Sequence, residues 1–170
     1  MSFIKNYLVS MLLCFPLSVF ACAYHIGGES EDGPILPGST DLVFNTFYAQ
    51  QKGSIDTLEP LEGMQGYFRV SWWLNLLFQQ LENAGIHNAY VVIADVQLWS
   101  KMGEKTQFNR GIDIEAPEDR SNTIMLSEAA LSALVTETID IPQAINLGLL
   151  RVYQDNLGFT GKLLQSRHHS

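Results

Sequence analysis

Apolar positions recur along this chain with helical and strand periods, and each change of period marks an element. From Asp41 to Lys52, Val43, Phe44, Phe47 and Tyr48 fall on one helical face; Ser39 or Thr40 is the candidate N-cap and Gly53 ends the run. A stronger pattern extends from about Gln65 to Ala84 and stops at Gly85. Stepping about 100° per residue puts Val70, Trp73, Leu74, Leu77, Phe78, Leu81 and Ala84 on one arc. Arg69, Asn75, Gln79, Gln80, Glu82 and Asn83 occupy the opposite arc, interrupted by Phe68, Trp72 and Leu76. That second stripe is either covered by the N-terminal lead or left open to a ligand or partner.

Beyond Gly85 the period shortens. Asn88 to Ser100 reads as one strand, with Tyr90, Val92, Ala94, Val96 and Leu98 on one side and Val91, Ile93, Asp95, Gln97 and Trp99 on the other. Met102, Gly103 and Glu104 supply a turn, and Thr106 to Glu115 a second strand in which Gly111 suits a bulge. Pro117 ends it, and Ser121 to Leu126 is a third. Ser127 caps a short helix carrying Glu128 in its first turn, and Pro142 begins another that ends at Gly148. Leu149 to Tyr153 is a last strand, followed by a helix or turn over Leu157 to Gln165. Strands and helices segregate along the chain, which predicts an α+β fold: a curved mixed or antiparallel sheet of about four to five strands covered by helices.

The first residues have a different logic. Lys5 is followed by an apolar run, Leu8 to Phe20, with small residues at Ala21 and Ala23. This is the composition of a secretory signal peptide, and the run is short for a membrane span. The chain thus divides into a leader (1–21), a lead with one short helix (22–63), a folded domain (64–166) and a tail (167–170). Residues 26–40 are rich in Gly, Pro and acids, as loops are. Processing would leave Cys22 as the only thiol. Val19-Phe20-Ala21-Cys22 is similar to the lipobox of bacterial lipoproteins at three of its positions, Phe20 being the departure, so Cys22 is a candidate lipidation site; ordinary cleavage nearby is the alternative. Cys22 and His25 also have a soft-metal spacing, a weak candidate for copper, because two ligands do not make a site.

Composition narrows the partners. The chain has 170 residues, 46% hydrophobic and 16% charged, with a net charge of -8. One domain fits that length, and the negative charge argues against nucleic acid or an anionic lipid surface. Two cysteines cannot build a disulfide scaffold.

The run from Thr123 to Tyr153 resembles the end of sterol carrier protein-like domains, with Ser127, Leu131, Leu134, Pro142, Ala144, Gly148, Leu150 and Val152 at matching positions. Asn156-Leu157-Gly158-Phe159 with Lys162-Leu163 resembles the family's terminal segment, and Glu137 stands where the family has Gly. The close match spans about Ser121 to Gln165. The resemblance implies a sheet covered by helices around an apolar tunnel that binds acyl chains or other lipids without catalysis. Tunnel candidates are Leu131, Leu134, Ile145, Leu149, Phe159 and Leu163, joined by Trp72, Trp73 and Phe78 from the long helix.

No nucleophile elbow, zinc-protease motif, phosphate loop or Cys-x-x-Cys occurs, and no nucleophile, base and orienting group can be assembled. His87 reads as a loop residue. Asp95 is a candidate buried acid, and Arg69, Arg110 and Arg151 are candidates to pair with acids or a lipid head group. The expectation is therefore a non-catalytic, cofactor-free exported protein of the bacterial envelope, periplasmic or lipid-anchored, binding a fatty acyl or other apolar small molecule. The alternatives are an accessory protein whose tunnel is filled by side chains, or a copper-binding protein using its N-terminus.

Overall fold

The computed structural model describes residues 36–61, 63–103 and 111–166. Two helices come first, α1 (Ser39–Gln51) and α2 (Gly63–Asn83). Strands β1 (Tyr90–Ile93), β2 (Leu98–Lys101), β3 (Gly111–Ile112) and β4 (Thr123–Leu126) follow, then α3 (Glu128–Val135) and α4 (Ile141–Asn146). The chain closes with β5 (Leu150–Tyr153) and α5 (Phe159–Gln165). The sheet has five strands in the order β3-β2-β1-β4-β5. Only the central β1–β4 pair is parallel; the other three pairs are antiparallel. The α+β expectation and its mixed sheet therefore hold.

The one long strand expected over Asn88 to Ser100 is a hairpin instead. Ala94 to Gln97 turn the chain back, with Gln97 in the left-handed region at φ 52°, so that Ile93 pairs with Leu98 and Val92 with Trp99. The reversal resets the alternation. Leu98 joins Val91 and Ile93 on one face of the sheet, and Trp99 joins Val92 on the other. An unbroken apolar run conceals such a turn, because no Gly or Pro punctuates it. Of the second expected strand, only Gly111–Ile112 pairs among the described residues, opposite Lys101 and Ser100; Arg110 lies outside them.

The two faces bury different clusters. Val91, Ile93, Leu98, Ile124, Leu126 and Leu150 pack against α2, α3, α4 and α5, and this layer is the main core. On the reverse face Val92, Trp99 and Met125 pack with Leu36 and with Leu42 of α1. Helix α1 reaches both, since its Ala49 belongs to the main cluster. In α2, Val70, Leu74, Leu77, Phe78 and Leu81 are buried along the arc expected from the sequence.

Local chemistry explains the helix ends. Ser127 accepts from the Ala130 N–H at 3.1 Å, and Asp140 and Gln143 form a reciprocal capping box with Pro142 in the first turn. At α1 the N-cap is Gly38, at φ 92° and without a side-chain cap, rather than Ser39 or Thr40, which lie inside the helix. Helix α3 ends on a Thr138 N–H to Ala133 carbonyl bond that places Glu137 at φ 58°. This left-handed position is where the resembled family carries Gly, the residue that adopts it without steric cost.

Candidate functional site

Three features bear on function: the packed region expected to hold a tunnel, a polar junction where α1, α2, α3 and the β1–β2 turn meet, and two exposed apolar stripes.

Leu131, Leu134, Leu149, Phe159, Leu163 and Phe78 are all buried within one hydrophobic cluster, with Ile145 and Trp73 half-buried against it. They pack on one another and on the sheet, as core side chains do. Trp72 departs from this group: it is 65% exposed and lies outside both clusters. Its position on α2 explains why, since it sits about 100° from the centre of the Leu74–Phe78–Leu81 face. An open cleft of about 480 Å³ lies at the β1 end of the sheet, lined by residues that include Asn88, Tyr90, Glu118, Asn122, Leu157 and Phe159. Phe159 is the one tunnel candidate that reaches it. With Glu118 and Asn122 in its wall, the cleft is a poor match to an acyl chain.

The polar junction forms around the first turn of α3. Arg69 donates from Nε (2.9 Å) and Nη2 (2.6 Å) to Glu128 Oε1, and from Nη1 to the Glu59 carbonyl at 2.9 Å. Its guanidinium also lies 5.2 Å from the Trp73 ring centre. Thr46 of α1 donates its one hydroxyl proton to the Leu42 carbonyl at 2.9 Å. Its 2.8 Å contact with Ser127 is therefore a bond donated by the Ser127 hydroxyl. The Glu128 N–H donates to both carboxylate oxygens of Asp95, at 3.0 and 3.1 Å.

Asp95 is exposed along one flank, yet its carboxylate lies where the surrounding protein is dense. That burial pushes its pKa up to about 6; the Glu128 N–H opposes the rise, and the Glu128 charge adds to it. Between them Ser127 and Asp95 occupy the α3 amides of Glu128 and Ala130. The junction thus joins four elements, and its groups are committed to one another. It presents no nucleophile with a base, so its chemistry is that of a structural tie.

Sequence reasoning singled out Arg69, Asp95, Ser127 and Glu128 separately, and the fold brings them together. Thr46 was not singled out; its helical position gives no signal, because its partner lies 81 residues away. Arg151 meets Asp41 at 3.6 Å, and His87 is exposed in the loop after α2. Cys22, His25 and the terminal His168 and His169 lie outside the described residues. Among the described residues, no group of three or more His, Cys, Asp or Glu side chains could hold a metal ion, and no helix is long and apolar enough to cross a membrane.

The exposed stripes are the remaining candidates. On α2, Met64, Phe68 and Trp72 are exposed, 49%, 61% and 65% respectively, while Leu76 is half-buried. On α1, the face of Val43, Phe44, Phe47 and Tyr48 turns outward, and Leu42, Thr46 and Ala49 turn inward. Helix α1 is held in this orientation by Thr46 on Ser127 and by Asn45 on the Gly148 carbonyl at 3.3 Å. Residues 36–61 leave the α2 stripe uncovered. No family model, curated protein or solved structure matches this chain.

Proposed function

We propose that this is a non-catalytic, exported envelope protein that holds an apolar partner on the outer stripe of α2. The observation that carries the reading is the exposure of Met64, Phe68 and Trp72 on a helix whose opposite arc is fully committed to the core. These side chains present on the order of 300–400 Å² of apolar surface, as large as the patches that monomers keep for function. The packed core favours an accessory role over an internal lipid site, because the tunnel candidates already fill the space between sheet and helices. The negative charge of the chain, -8, disfavours an anionic bilayer as the partner.

An internal acyl-binding site is the second reading, supported by a five-stranded sheet under helices, the architecture that the resemblance to sterol carrier protein-like domains implies. Native mass spectrometry of the protein purified from its host envelope, together with displacement of a fluorescent fatty acid, tests both. The first reading expects a bound protein or apolar molecule that Phe68→Ser and Trp72→Ser release while Leu134→Trp leaves it in place. Release by Leu134→Trp alone supports the internal site. A protein that carries nothing, and whose Trp72 emission is unchanged by envelope extract, overturns both.

A further inference from the structure

The outward face of α1 has an organisation that chance exposure does not explain. Its exposed positions are Thr40, Val43, Phe44, Phe47, Tyr48 and Gln51, spaced as a helical seam of about 18 Å. The seam is symmetric in sequence about a point between Asn45 and Thr46. Phe44 mirrors Phe47, Val43 mirrors Tyr48 and Thr40 mirrors Gln51. Charges occur only at its ends: Asp41 at the N-terminal end, with its side chain 71% exposed, and Lys52 just past the C-terminal end. Both lie on the same flank of the seam, beside Tyr48, whose ring is 5.3 Å from the Lys52 Nζ.

A two-fold axis through the centre of an antiparallel helix pair brings each flank of one helix against the same flank of the other. Two copies of α1 packed in this way set Phe44 against the partner's Phe47 and Val43 against the partner's Tyr48. Asp41 of each then lies beside Lys52 of the other, giving two ion pairs from one self-complementary surface. We infer that α1 is a self-association helix, and that its partner is a second copy of this chain, docked antiparallel about that axis. The opposite face of α1 is already used within the chain, through Leu42, Thr46 and Ala49, so the pairing leaves the fold intact.

The area sets the strength. Val43 is 38% exposed, Phe44 68%, Phe47 60% and Tyr48 62%, which amounts to roughly 400 Å² per copy and about 800 Å² in all. That lies below the range of permanent interfaces and in the range of reversible ones, for which a dissociation constant on the order of 10 μM is expected. This inference uses a different helix from the proposed partner site and stands or falls separately from it.

Sedimentation velocity of the full chain across the micromolar range is the test. The expected result is a reversible monomer–dimer equilibrium that Phe47→Glu abolishes; the residue is exposed, so the monomer stays folded. Asp41→Lys weakens the dimer about fivefold, as does Lys52→Asp, by replacing both symmetric pairs with like charges. Combining the two reversals restores the wild-type constant, a rescue that binding to lipid or to another protein would not produce. A chain that stays monomeric throughout overturns the proposal, and so does a dimer indifferent to Phe47→Glu. If Phe47→Glu lowers the stability of a monomeric chain, a segment of the same chain covers the seam, and the proposal fails.

Discussion

Replacing Arg69 by Met keeps the aliphatic stem of the side chain and removes the charge that ties α2 to α3. The pair is neither a surface nor a deeply buried ion pair: the Arg69 and Glu128 side chains are 17% and 11% exposed. Exposed pairs contribute about 0–1 kcal/mol, and removing one partner of a buried pair costs about 3–5 kcal/mol. The burial here places the cost nearer the second figure, at about 2–3 kcal/mol. Three hydrogen bonds disappear at once, and the Glu128 carboxylate loses its counter-charge beside Asp95. Urea unfolding followed by far-UV circular dichroism and Trp fluorescence measures the effect. With a slope of about 1.5 kcal/mol per molar urea, the midpoint should fall by roughly 1.5–2 M. Replacing both partners, Arg69→Met with Glu128→Leu, should cost only about 1 kcal/mol, because no charge is left without its partner. The double-mutant cycle then returns a coupling above about 1 kcal/mol. A loss under about 0.5 kcal/mol for Arg69→Met, or simple additivity of the two substitutions, would refute the view that this junction ties α2 to α3.

Two further outcomes follow from the geometry. Asp95 has its pKa raised to about 6 from an ordinary 3.8, so the folded state holds its proton more tightly than the unfolded chain does. The stabilisation from this group is full below about pH 4 and is lost as pH rises through 6; urea midpoints against pH should show that decline, and Asp95→Asn should flatten it. Asp155 has the opposite sign: burial raises its pKa, but the Thr160 hydroxyl and the N–H groups of Thr160, Phe159 and Gly158 outweigh it, so its contribution is present above the ordinary value and fades in acid. Glu137→Gly should raise stability by about 0.5–1 kcal/mol, because φ 58° strains any residue with a Cβ; an unchanged or lower thermal midpoint would count against that account.

The sequence determined the composition of the fold more than its connections. The arc of α2 was legible because five apolar side chains at helical spacing all had to leave water, and the core of α3 and α4 was legible through Ser127, Pro142 and Gly148. The α+β class followed from the segregation of periods along the chain. The β1–β2 turn was not legible, since Ala94 to Gln97 carry no Gly or Pro and the apolar pattern runs across them. Which face of α1 turns inward was also hidden. Its aromatic side gives the stronger hydrophobic signal, yet Thr46 and Asn45 turn the other side inward through bonds to Ser127 and Gly148, far along the chain. The candidate tunnel residues illustrate the same limit: hydrophobicity marked them for burial, and only the packing decided that they bury one another. Periodicity records which residues must avoid water, whereas the tertiary structure decides what they meet when they do, because those partners are distant in sequence and leave no local pattern.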